Sequence, residues 1–138
     1  MKKLLAVALA TVMTQQAMAV NWVWVSENNT GKYYIDLDSI QADTLVNGTP
    51  VMTAWTQAEH KQAQGVGGKK YWAAKSFRYY DCHARKFDTE FAAIYDKQGR
   101  VVDTANNPAT RYSSTNWVRV IPSTPSEAEL YTVCAYAN

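Results

Sequence analysis

Cys82 and His83 stand side by side in KSFRYYDCHARK, the stretch from Lys75 to Lys86, and the whole chain holds only two cysteines and two histidines. That pairing could serve a nucleophile and its base, a metal site or, among basic and aromatic neighbours, a nucleic-acid surface. Read as a strand, the stretch points adjacent side chains to opposite faces, so Cys82 and His83 are poorly placed to share a proton. A catalytic base has to lie within hydrogen-bond reach of its nucleophile, and the only other histidine is His60. A structural zinc site takes four Cys or His ligands, and Cys82, Cys134, His60 and His83 have neither C-x-x-C nor H-x-x-x-H spacing. DLDSIQ, residues 36–41, opens like a calcium loop but lacks the sixth-position glycine and the closing glutamate. GVGGKK fails the phosphate-loop pattern, because Ala63 stands at the first glycine and Lys70 follows Lys69. The reading expects no catalytic residue, no metal and no cofactor, with His83 a surface histidine projecting from the face opposite Cys82.

The chemistry left to Cys82 follows from the compartment. Residues 1–19 read as a secretory signal: Lys2 and Lys3, an apolar run from Leu4 to Met13, and an Ala17-Met18-Ala19 cleavage site. The run is short of the ~20 apolar residues that span a bilayer, and no second run follows. With no cysteine at the start of the mature chain, neither a lipid anchor nor a transmembrane segment is expected. In an oxidising compartment two cysteines most simply form one disulfide, Cys82 to Cys134. The bridge closes 52 positions, worth about 4 kcal/mol in the chain-entropy model.

Removing residues 1–19 from the 138-residue chain leaves 119, enough for one domain with its own core over residues 20–138. Two of the 14 Lys and Arg residues fall in the signal and all 12 acids lie beyond it, so the mature chain is formally neutral. A nucleic-acid partner calls for a strong positive charge or a dense basic stripe, and none is expected here.

The elements that must position these residues are mostly strands. In NWVWVSE, Trp22 and Trp24 alternate with Val23 and Val25. KYYIDLDSI continues after the turn NNTG. Asn47-Gly48 suits a two-residue hairpin turn. Strands of roughly Val51–Lys61 and Tyr71–Cys82 follow, joined by a mobile exposed loop, QAQGVGGKK. EFAAIYDKQGRVVDT reads as a hairpin turning at DKQG, Thr104 to Thr115 as a long surface loop, and NWVRVI as the last strand. In STPSEAELYTVCAYAN, Thr124, Pro125 and Glu127 form a capping box, and Leu130, Val133, Cys134 and Ala137 share one helical face. The fold class is α+β: an antiparallel sheet of about six strands with a short C-terminal helix tied to it by the disulfide.

Lys69, Lys70, Lys75, Arg78, Arg85 and Lys86 cluster along one hairpin and the segment after it. They form the candidate binding residues, suited to an acidic polymer, lipid head or protein segment. The bland reading is a solvated sheet edge guarded by lysine. Five tryptophans and nine tyrosines divide between core and surface.

The order of Trp22 or Trp24, Tyr34-Ile35-Asp36 with Ser39-Ile40, Asp81-Cys82 with Arg85, Tyr95-Asp96 with Gly99, and Trp117 with Ile121-Pro122 and Cys134 resembles the surface-adhesin protein E family of Gram-negative bacteria. The resemblance spans nearly the whole mature chain. It implies a disulfide-tied helix on an antiparallel sheet and an extracellular, non-enzymatic binding domain. It also implies partners among host matrix or plasma proteins such as vitronectin, laminin and plasminogen. The leading expectation is an exported binding domain displayed at the cell surface or secreted. The alternative is a soluble periplasmic structural or accessory protein of the envelope. A weaker third reading is a small enzyme using His60 or His83. Long edge strands add the expectation of a homodimer.

Overall fold

The computed structural model describes residues 20–137; the signal segment 1–19 lies outside them. Eight antiparallel strands form one sheet: β1 (Trp22–Glu27), β2 (Gly31–Asp36), β3 (Gln41–Thr44), β4 (Pro50–Val66), β5 (Lys69–Asp81), β6 (Lys86–Tyr95), β7 (Val101–Asn106) and β8 (Val118–Arg119). Six run side by side in the order β1-β2-β4-β5-β6-β7. The short β3 extends the sheet on β4, and β8 extends it on β6. One helix, α1 (Pro125–Cys134), closes the chain.

Alternation sorts the two faces. On one, Ile35, Met52, Ala54 and Tyr80 pack with Val120 and with Leu130 and Val133 of α1. Burying those two α1 side chains contributes roughly 2 kcal/mol each. The Cys82–Cys134 disulfide forms as expected, with Cα atoms 5.8 Å apart, and holds α1 to this face. The other face carries a smaller core of Leu45, Val51, Tyr79 and Trp117 at one end. Beyond it lie half-buried rings on the face away from α1.

Several local expectations are corrected. The QAQGVGGKK segment is strand almost throughout: Gln64 pairs with Tyr71, Gly65 with Lys70 and Val66 with Lys69. Gly67 and Gly68, at φ 55° and 77°, supply the two positive-φ positions that let a two-residue turn close the hairpin. Around Asn47-Gly48 the hairpin forms, but its loop is the five residues Leu45–Thr49. There Leu45 is buried, its N–H donating to the Thr49 carbonyl and its carbonyl accepting from the Gly48 N–H. The segment expected as loop from Thr104 continues β7 to Asn106 and then forms a 3-10 turn, Pro108–Arg111. Thr110 anchors that turn, 1% exposed, its hydroxyl donating to Asp88 at 2.7 Å.

The capping box does not form. Ser123 sits at φ 62°, Thr124 Oγ1 donates back to the Ile121 carbonyl at 2.7 Å, and Glu127 accepts from the Ser123 N–H instead of from Thr124. Arg85 holds the other Glu127 oxygen at 3.1 Å, so a tertiary ion pair decides where that carboxylate lies. At the far end α1 stops at Cys134, and Ala137 is exposed rather than on the buried stripe. Gly31 is required by close approach: a Cβ there would run into the Glu59 carbonyl oxygen of β4.

Candidate functional site

The structure places Cys82 and His83 in the turn after β5, not within a strand, with His83 exposed. His60 sits near the opposite end of the β4–β5 pair, edge-on to Tyr71 at 5.6 Å. Met52 faces Tyr80. At ~3.3 Å per residue, roughly 25 Å of strand therefore separates the two histidines. Burial pushes the His60 imidazole below its ordinary pKa, favouring the neutral ring. No group of three or more Cys, His, Asp or Glu side chains suited to a metal occurs among the described residues.

The six basic residues do not share one surface. Lys69 and Lys70 begin β5 beside the glycine turn, exposed, with Lys69 paired to Asp103 of β7 at 3.2 Å. Arg78 points to the helix side, where its Nη1 donates to Glu129 at 2.7 Å and its guanidinium lies 5.0 Å from the Phe87 ring. Burial alone would lower the Arg78 pKa; Glu129 and Tyr80 reverse this and hold it above its ordinary value. Arg85, in the turn, pairs with Glu127 and stacks on Tyr131 of α1. Lys86 donates to the Ser114 and Thr115 carbonyls. Lys75 points to the opposite face, its Nζ 5.1 Å from the centre of the Tyr95 ring. The segment therefore divides: Arg78 and Arg85 pin the helix, Lys69 and Lys70 stand at a hairpin tip, and Lys75 lies among aromatic rings.

Two surfaces stand out. The first is the β4–β5 ribbon. β2 accompanies β4 as far as His60, and β6 accompanies β5 as far as Ala73. Beyond an irregularity between Glu59 and Gln64, residues 64–71 pair as a short two-stranded ribbon with no further strand beside it among the described residues. Its tip is exposed from Gly65 to Lys70, with Val66 51% exposed.

The second is the uncovered sheet face. Trp55, Phe77 and Phe91 face one another across β4, β5 and β6, with Trp55 centred 5.4 Å from Phe77 and 6.0 Å from Phe91. With Trp22 and Tyr95 they line a trough of about 560 Å³. Its rim is the turn after β2. Asp36 Oδ1 accepts from the backbone N–H groups of Asn21 and Asp38, at 3.0 and 3.1 Å. Ser39 Oγ donates to the Asp36 carbonyl and accepts from the Trp55 N–H, at 2.7 and 2.8 Å, fixing the rim to the floor. Sequence reasoning missed this site. The odd-numbered positions of KSFRYYD and TEFAAIYD show the alternation, but only cross-strand register brings Trp55, Phe77 and Phe91 into one row.

No helix among the described residues is long and apolar enough to cross a membrane. No curated protein matches the chain in sequence. Among solved structures, Haemophilus influenzae protein E is similar over 83% of this chain and 84% of that chain, at 16% identity and a TM-score of 0.54. Its second crystal form covers 83% and 87%, at 16% identity and a TM-score of 0.56. Protein E from non-typeable Haemophilus influenzae is similar over 87% and 79%, at 14% identity and a TM-score of 0.51. At these identities the likeness shows the shared fold. The family described as Surface-adhesin protein E matches residues 22–135, nearly all of the described chain. Its members are binding domains rather than enzymes, and this chain belongs to the surface-adhesin protein E family.

Proposed function

We propose that the chain is an exported adhesin domain that meets a partner protein through the β4–β5 ribbon. The observation that carries this reading is the ribbon itself: a short paired arm past the last β2 and β6 partners, whose exposed tip carries Lys70 and Lys69, the latter paired to Asp103. Such an arm offers main-chain edges and a small positive field to an acidic protein segment. Residues 1–19 are read as the cleaved signal and 20–138 as one exported domain. The partner class is host matrix or plasma protein, with vitronectin and laminin the first to try. Substituting Lys69 and Lys70 with Glu leaves the core untouched, so loss of binding to vitronectin- or laminin-coated surfaces with an unchanged melting curve supports the reading. Unchanged binding removes the ribbon from it.

A second reading is a soluble periplasmic accessory protein of the envelope. Protease treatment of intact cells carrying the tagged protein separates the two: cleavage supports surface display, and protection supports the periplasm. Self-pairing along the outer edge of β7 belongs to the same proposal. Light scattering on the mature chain tests it.

A further inference from the structure

We propose that the aromatic trough binds an acidic saccharide, a function separate from that of the ribbon. The floor consists of half-buried rings, Trp55, Phe77, Phe91 and Tyr95, and α1 packs on the opposite face. Rings left open in this way present their negative π-faces to whatever lies over them. The polar groups are few and sit apart. Like Lys70 and Lys86, Lys75 has no carboxylate within 4.0 Å among the described residues, but it alone of these lies in the trough, its ammonium over the Tyr95 ring. Asp38 is exposed on the rim beside Ser39 and Gln41.

These features select among occupants. An extended peptide needs partners for its backbone N–H and C=O groups, which a sheet edge supplies and an aromatic sheet face does not. A nucleic acid brings a row of phosphates to a site holding one lysine and two aspartates, Asp36 and Asp38. A pyranose ring fits both halves of the trough. Its weakly positive C–H face stacks on Trp55 and its neighbours, and its hydroxyls radiate sideways to Asp38, Ser39 and Gln41. The Lys75 ammonium, which lies over the Tyr95 ring and has no carboxylate partner among the described residues, then selects a sugar bearing a carboxylate. A volume of about 560 Å³ lies within the range of small-ligand sites.

The test uses the mature chain with two matched probes, a hyaluronan tetrasaccharide, which carries uronic acids, and neutral chitotetraose. Binding is followed by titration calorimetry and tryptophan fluorescence. The wild type should bind the uronate probe saturably and more tightly than the neutral one. Trp55→Ala should weaken both by about tenfold, the weight of one stacking contact. Trp22→Ala, on an edge strand, is the second variant and should act in the same direction. Lys75→Gln should weaken only the hyaluronan probe, while Lys69→Glu with Lys70→Glu should change neither. Absence of saturable binding overturns the proposal. So does binding that survives both tryptophan substitutions, or that follows the ribbon lysines rather than Lys75. A dimer that Trp55→Ala dissociates would assign the trough to a second copy and overturn it as well. The ribbon reading stands or falls on the protein-coated surfaces alone.

Discussion

Glu129 is a buried carboxylate with two tasks. Its side chain is 4% exposed, and its Oε2 accepts from Arg78 Nη1 at 2.7 Å and from the Tyr80 hydroxyl at 3.1 Å. Burial, and then the negative Glu129, push the Tyr80 phenol well above its ordinary pKa, so it donates as the neutral hydroxyl. Glu129→Ala removes one partner of a buried ion pair, a change that costs about 3–5 kcal/mol in general. The Arg78 side chain is 24% exposed and water can relieve part of its charge, which sets this loss near the lower end, about 3 kcal/mol. Tyr80 is fully buried, and stranding its hydroxyl adds about 1 kcal/mol. The sum, about 4 kcal/mol, is a large share of the 5–15 kcal/mol typical of a domain. With a urea slope of about 2 kcal/mol/M, the midpoint should fall by about 2 M. Glu129→Gln, which keeps an acceptor without the charge, should fall about half as far. Replacing both partners, Glu129→Leu with Arg78→Met, should recover about 3 kcal/mol, because no lone buried charge is left. A midpoint shift below about 0.5 M for Glu129→Ala, or a double variant no better than the single one, would refute this reasoning.

Two further outcomes are expected of the fold. Replacing Cys82 and Cys134 with Ser should lower stability by about 4 kcal/mol, from the entropy regained by a loop of 52 positions. Amide exchange should then speed first in α1, which at 10 residues is too short to hold alone; uniform acceleration across the sheet would show that the helix does not depend on its tether. Arg111 donates twice to Glu90, at 2.7 Å each, and these bonds hold the Glu90 pKa below its ordinary value despite its burial. A carboxylate depressed in the folded state stabilises above its unfolded pKa, about 4.3, and loses that contribution as pH falls through the lower folded value. Denaturation of wild type and Glu90→Gln at about pH 6 and about pH 3 should therefore show a stability gap that narrows in acid. A gap that widens would reverse the assignment.

Local signals carried the outline of this molecule. The strand in NWVWVSE, the Asp96–Gly99 turn, Pro125 at the start of α1 and the single pair of cysteines each depend on chain neighbours or on composition, and each appears in the structure, the strand with a bulge at Val25. The family's ordered residues were legible for the same reason. Where local chemistry had a tertiary competitor, the competitor won. Glu127 is drawn to Arg85 and to the Ser123 N–H rather than to the capping position, and paired strands convert a glycine-rich loop into a ribbon. The division of the basic residues is partly written in parity, since Lys75 and Arg78 occupy opposite faces of any strand. Which face receives α1 is not. That choice rests on Leu130 and Val133 finding Ile35, Met52 and Tyr80, and on Glu129 meeting Arg78 from 51 positions away. The sequence by itself determined the strands, the helix, the staple and the family. The tertiary structure alone decided that Arg78 and Arg85 hold the helix while Lys75 stands in an open aromatic trough, because a side chain's task is set by which distant groups the register brings within a few ångströms.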